Sequence, residues 1–144
     1  MSDLDDFLTV TLARHAKATD LSHNGDPTLY LQEWSTREPV TVFGARESVV
    51  GWEAASQAIG AVVARFSNAS PLDFELLAAG IGGELAYLVG YEHAALSVDN
   101  GPVQPSTLRV THVYRREDGD WKLVHRHADR ATIDQPAPTE APGT

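Results

Sequence analysis

The stretch Ser106–Asp129, STLRVTHVYRREDGDWKLVHRHAD, decides the fold. Leu108, Val110, His112 and Tyr114 alternate with Arg109, Thr111, Val113 and Arg115. Past Glu117-Asp118-Gly119 the alternation resumes, with Trp121, Leu123, His125 and His127 set against Lys122, Val124, Arg126 and Ala128. Period two with β-branched and aromatic residues is the pattern of a half-buried antiparallel hairpin. Sheet interiors are mostly apolar, so the histidines and arginines gathered here point to a polar pocket.

The turn decides which of them share a face. A two-residue type I′ turn at Asp118-Gly119 sets Arg116 opposite Trp121, His112 opposite His125 and Val110 opposite His127. A three-residue Glu117-Asp118-Gly119 loop closed by a glycine bulge sets Arg116 opposite Asp120. Arg109 then shares a face with His127, and Thr111 with His125. One residue of register exchanges the whole set. The three-residue loop is preferred here, because it gathers Val113, Trp121 and Leu123 as a buried base. Arg109, Thr111, His125 and His127 are then expected together at the other end of a hollow.

Upstream lie two further strands, Leu72 to Ala79 and Glu84 to Val98, separated by Ile81-Gly82-Gly83. Gly90 inside the second suggests a bulge or bend, as where a sheet curls. Before them, Trp52, Ala55, Ile59, Val62, Val63 and Phe66 form an apolar stripe at helical spacing, from about Val50 or Gly51 until Ser67-Asn68-Ala69-Ser70-Pro71 stops it. PVTVF, residues 39–43, reads as a short strand. Asp26-Pro27 opens a short helix carrying Tyr30 and Trp34. Ser2 and Asp5 form a loose capping box for a first helix, on which Leu4, Phe7, Leu8, Leu12, His15 and Ala16 share a face. Helices followed by strands argue an α+β fold: three N-terminal helices on one face of a curled antiparallel sheet. The domain is expected over 1–131. The proline-rich remainder, 132–144, has no period and is expected to be disordered.

Composition narrows the function. The 144 residues contain no cysteine, which excludes disulfides, thiolate metal sites and cysteine nucleophiles. A net charge of −9 opposes phosphate-backbone contact, so no nucleic-acid partner is expected. The N-terminus is acidic where a signal peptide would be basic, and no run approaches a membrane span. A cytoplasmic protein without a membrane partner is expected.

The element order, the VTVFGA strand, the GWEA helix start and the LRVTHVYRREDGDWKLVHRHAD hairpin resemble the SnoaL-like branch of the nuclear transport factor 2-like superfamily, the ketosteroid-isomerase-like cone. The resemblance covers Asp3 to Asp129. It implies a curled sheet with a helical lid around a hollow, and a homodimer paired through the open face of the sheet. The superfamily holds isomerases, cyclases, dehydratases and non-catalytic binding modules, so the fold alone names no activity. The isomerases' strand carboxylate has no counterpart in Val40-Thr41-Val42-Phe43, and their first-helix tyrosine none here. His15 lies near that tyrosine's place and reads as structural.

By the same resemblance, RVT and HxH look like the polar pocket motif. Arg109 is then the cation for a carboxylate or enolate oxygen, and His127 the acid or base. Thr111, His125, Trp34, Tyr30, Phe43 and Trp121 are the expected substrate-binding residues. In the bland reading Arg109 merely pairs with a buried acid such as Glu84 or Glu92, and the histidines satisfy backbone groups. His112, His125 and His127 raise a metal site, and His125 and His127 share a face, but no histidine or carboxylate motif of metal spacing surrounds them, so neither metal nor cofactor is expected. The function expected is binding of a small apolar or carbonyl metabolite, with or without isomerase, cyclase or dehydratase turnover. The alternative is a non-catalytic ligand-binding or dimerisation module.

Overall fold

The computed structural model describes residues 2–44 and 47–131. The expected disordered tail, 132–144, lies outside the described residues. The elements run α1 (Asp3–Ser22), α2 (Thr28–Gln32), β1 (Thr41–Phe43), β2 (Ser48–Val50), α3 (Trp52–Val63), β3 (Phe66–Ser67), β4 (Asp73–Gly82), β5 (Leu85–Val98), β6 (Gln104–Glu117) and β7 (Asp120–Arg130). The strands form one curled half-barrel in the order β2-β1-β7-β6-β5-β3, with β4 also on β5. The sheet is mixed, not antiparallel throughout, because β1 runs parallel to β7. The reason is local. The segment after α2 already bridges β7 in parallel at Trp34 and Leu123, and β1 continues in that direction. No helix among the described residues is long and apolar enough to cross a membrane.

Both long helices start where their caps predict. Ser2 accepts from the Asp5 backbone N–H at 3.1 Å, and Asp5 returns the bond. Pro27, not Asp26, takes the cap position of α2, while Asp26 accepts from the Thr28 N–H at 3.0 Å. Helix α3 is capped by Gly51 at φ 96°, and Glu38 accepts from the Trp52 N–H at 2.8 Å. Its Ala55, Ile59 and Val63 are buried. Between α1 and the sheet the core holds Phe7, edge-on to Tyr114 and to Trp121 with both centroids at 5.2 Å.

The sheet curls at two bulges. Opposite Gly90 the register of β4 shifts between Leu76 and Ala78, so the bulge falls on the neighbouring strand. A Cβ on Gly90 would overlap the Glu75 carbonyl oxygen and lie 2.6 Å from the Phe74 ring. Backbone cannot give way as a side chain can. Gly90→Ala is therefore expected to cost about 1–3 kcal/mol, the range for overpacking. An unchanged urea midpoint would show that this close approach does not hold the curl.

The second bulge corrects the expected hairpin register. Asp118 and Gly119 sit at φ 52° and 81°, a two-residue type I′ turn, with Arg116 opposite Trp121. Tyr114 then pairs with Leu123 but Val113 with His125, leaving Val124 as the extra residue. Beyond it Thr111 faces His127 and Arg109 faces Asp129. Arg109, Thr111, His125 and His127 do share a face, two residues off the expected pairing and by a different device. Trp121 and Leu123 lie on the other face from Val113, packed with Tyr114. A bulge raises the local twist and re-aims the side chains beyond it. After Val124 it is Arg126 and Ala128, not His125 and His127, that turn toward the helices.

Candidate functional site

The hollow between the inner face of the sheet, α3 and the ends of α1 and α2 encloses about 390 Å³. Most of its wall is apolar, with Ile59, Val62 and Val63 from α3 facing Phe66, Leu96 and Leu108. One part is polar, where His23, Tyr30, Glu92 and Arg126 line it. Trp34 and Phe43 also line it. Trp34 is held by backbone bonds on both sides, Leu123 N–H to the Glu33 carbonyl at 2.8 Å and Ser35 N–H to the Leu123 carbonyl at 2.9 Å. Its Nε1 and the Nδ1 of His23 are buried without a partner among the described residues. Each unmet group costs about 1–3 kcal/mol.

A closed network of charges underlies the polar wall. Arg126 grips Glu92 with both terminal nitrogens at 2.9 Å. Glu92 also accepts from His15 Nε2 at 2.6 Å, and Glu33 accepts from His15 Nδ1 at 3.1 Å. Arg126 Nη1 donates to His112 Nε2 at 2.9 Å, and His112 Nδ1 lies 3.0 Å from the Tyr114 hydroxyl. His15, Glu33, Glu92 and His112 are all buried. The sequence delivers them from four elements: α1, the residue after α2, β5 and β6.

Protonation follows from these contacts. Burial alone would lower the His15 pKa, but the two carboxylates outweigh it and raise it to about 9. His15 is thus an imidazolium that donates from both nitrogens. His112 moves the other way, well below the usual range, because burial and then the His15 and Arg126 cations disfavour a third charge. It is neutral, with Nε2 accepting from Arg126 and Nδ1–H facing Tyr114. Burial would raise Glu92, yet Arg126 and then His15 hold it well below the carboxylate range. Burial first, with Arg126 and His15 adding and Glu92 opposing, keeps His23 below the usual imidazole value. Burial pushes the Tyr30 phenol up, so it stays protonated. Ligand atoms of His15, Glu92 and His112 lie within 4.8 Å of one another. Arg126 Nη1, 2.9 Å from both Glu92 Oε2 and His112 Nε2, holds the place a metal would need.

Of the residues expected to bind ligand, Tyr30, Trp34 and Phe43 line this hollow. Trp121 is in the core beneath it, against Phe7, with the Arg116 guanidinium 4.4 Å from its ring centre. The expected polar cluster lies on the outer face of the sheet. Arg109 forks onto Asp129 at 2.7 and 2.8 Å, not onto Glu84 or Glu92. His125 Nδ1 lies 2.7 Å from Thr41 Oγ1, and His127 packs edge-on to Phe43 at 5.7 Å. Arg109, Thr111 and His127 do line one recess there, about 410 Å³ with Leu77, Tyr91 and Asp129. The physical reason for the exchange is the extra residue at Val124.

Sequence reasoning passes over Arg126, Glu33 and His23, weighs His112 only as a metal ligand, and names Glu92 only as a structural partner for Arg109. One signal for them is present. The deep stripe of α1 is Phe7, Thr11, His15, Thr19 and Ser22, a largely polar run at helical spacing. Such a stripe needs a polar partner across the core. Thr11 and Ser22 meet the need locally, donating to the Phe7 and Thr19 carbonyls at 2.6 and 3.0 Å. His15 meets only the Thr19 hydroxyl locally, 3.3 Å from its Nε2, and makes its shorter bonds to the carboxylates across the core.

A family model described as a SnoaL-like domain matches residues 12–130. No curated protein matches the chain. Among solved structures, a nuclear transport factor 2-like superfamily protein from Salmonella enterica aligns at 22% identity and a TM-score of 0.70, covering 98% of this chain and 96% of that one. A candidate dehydratase of the same family from Streptomyces avermitilis aligns at 21% and 0.68, covering 88% and 96%. A ketosteroid isomerase-like protein from Erwinia carotovora aligns at 11% and 0.73, covering 90% and 98%. At these identities the likeness is one of fold.

Proposed function

The chain belongs to the SnoaL-like domain family, and from that premise we propose that it binds a small, largely apolar metabolite in the hollow above Glu92 and Arg126. One observation carries the reading: a cavity of about 390 Å³ with largely apolar walls, into which Tyr30, His23, Glu92 and Arg126 bring polar groups. Concave, mostly apolar space with a few convergent polar groups is the usual form of a small-molecule site. Tyr30, Trp34 and Phe43 are its contacts among the residues singled out from the sequence.

A thermal-shift screen against steroids, polyketide-like aromatics and small carboxylates tests it. A ligand at 100 times its Kd stabilises by about 2.7 kcal/mol, which is a shift of several degrees. Ala58→Phe projects a ring from α3 into the cavity and is expected to abolish the shift. A shift that survives Ala58→Phe would place the ligand elsewhere.

A second reading, cofactor-independent isomerase, cyclase or dehydratase chemistry, is favoured by His23 and Tyr30. A neutral imidazole and a protonated phenol in one wall can take and return a proton. Protein-dependent deuterium exchange beside a bound ligand's carbonyl, lost in His23→Ala, is the result that would support turnover.

Self-association through the outer face of the sheet completes the proposal, in a cytosolic setting. Leu77, Leu85 and Tyr87 are exposed, and Leu85 and Tyr87 alternate along β5 with the buried Ala86 and Leu88. Arg109, Thr111, His125 and His127 then belong to the paired surface. Tyr87→Lys is expected to convert a dimer to monomer in sedimentation velocity. A wild-type monomer at all concentrations would end this part of the reading.

A further inference from the structure

We propose that the cavity selects an uncharged ligand, one whose carbonyl or ether oxygen accepts a hydrogen bond from the Tyr30 hydroxyl. This rests on the cavity being a small-molecule site. The charges behind its polar wall are already closed. Arg126 spends both terminal nitrogens on Glu92, and one of them on His112 as well. Glu92 in turn accepts from Arg126 and from His15, whose other nitrogen is held by Glu33. Two cations face two anions, and no charge is left over.

A ligand carboxylate would have to take Arg126 from Glu92 or sit unpaired. A ligand ammonium would have to take Glu92 from two cations. Either choice leaves a desolvated ion without a partner, a cost of several kcal/mol per ion. The Tyr30 hydroxyl is the contrary case. It lines the cavity and makes no hydrogen bond among the described residues, so a ligand acceptor there displaces nothing. Burial keeps it a phenol and therefore a donor. Glu47, Asp129 and Arg130 also line the cavity, but Glu47 and Arg130 are exposed and screened by water, and half-buried Asp129 is already held by both prongs of Arg109.

Four probes on one ring system separate the possibilities by titration calorimetry at pH 7.5: 2-acetylnaphthalene, 2-naphthoate, 2-naphthylmethylammonium and 2-ethylnaphthalene. The ketone is expected to bind at least about tenfold more tightly than either ion, given the cost of burying an unpaired charge. Tyr30→Phe should weaken the ketone about fivefold, the worth of one neutral hydrogen bond, and leave 2-ethylnaphthalene unchanged. Circular dichroism checks that the variant is folded. Naphthoate or the ammonium binding as tightly as the ketone would overturn the selection while leaving the cavity a binding site. Ketone binding indifferent to Tyr30→Phe would overturn the assigned contact. If no probe binds, or if Ala58→Phe binds the ketone as wild type does, the cavity reading falls and this inference with it.

Discussion

Glu92→Gln should destabilise the fold by about 3–5 kcal/mol at pH 7, the cost of removing one partner from a buried ion pair. The substitution keeps the shape and removes the charge. Arg126 then stays buried with no counter-ion, its side chain only 12% exposed. His15 keeps Glu33 alone. The molecule supplies its own control. Arg109 also makes a two-pronged bond, through Nε and Nη2 onto Asp129, but its side chain is 57% exposed. Water and salt screen that pair, and Arg109→Ala is expected to change stability little. Urea unfolding of the two variants compares a buried two-pronged ion pair with an exposed one. The double variant Glu92→Gln/Arg126→Gln should lose less than the two single variants combined, because the stranded charge is gone. A Glu92→Gln loss no larger than that of Arg109→Ala would show that the network does not carry the fold.

Raising the pH through about 9 should remove on the order of 3 kcal/mol of stability, since each unit between the unfolded and folded pKa is worth about 1.4 kcal/mol. His15 is the source. Its pKa rises from 6.5 to about 9 on folding, after Glu33 and Glu92 overcome the penalty of burial. Folding therefore takes up a proton in that window. The contribution is complete below about pH 6.5, declines from there, and is gone above about 9. His23, His112 and His125 are shifted downward instead. Their effect has the opposite sign and is over by about pH 6.5, where the unfolded chain has lost the same protons. Between pH 7 and 9.5 the slope belongs to His15. Urea midpoints across that range should fall in the wild type and stay nearly level in His15→Gln. A flat wild-type profile would mean that His15 is not charged in the folded protein.

Both results concern residues that sequence reasoning does not bring together, and the reason is specific. The start of helix α3, the capping box at Ser2 and the alternation in β5 and β6 are local patterns, and each appears close to its expected place, whereas α3 ends at Val63 and Phe66, expected on it, lies on β3. The Asp118-Gly119 turn is legible too, as the less favoured of two alternatives. Its left-handed residues are what both side chains tolerate best, and its twist matches the hairpin. The pocket depends on more than the turn. Glu92 shares its face with Ala86, Leu88 and Gly90, all small or apolar, and nothing in that run shows that an acid at its end faces inward. Arg126 stands between two histidines that look the better site residues. His15 sits on a helix whose apolar residues dominate the amphipathic reading.

What the sequence determined by itself is the set of elements and the kind of fold. Period and punctuation are properties of neighbouring residues, and folding preserves them. Only the tertiary structure decided which face of the hairpin closes the hollow. That choice turns on Val124, an extra residue accommodated because the sheet must coil around α1 and α3. The bulge is a property of how β6 and β7 pair across the sheet, so no residue near Val124 announces it. Yet one unpaired residue there sends Arg126 inward to Glu92 and leaves Arg109, His125 and His127 outside. Charge balance then settles the rest. A buried arginine needs an acid, the acid draws the His15 imidazolium, and the imidazolium needs Glu33.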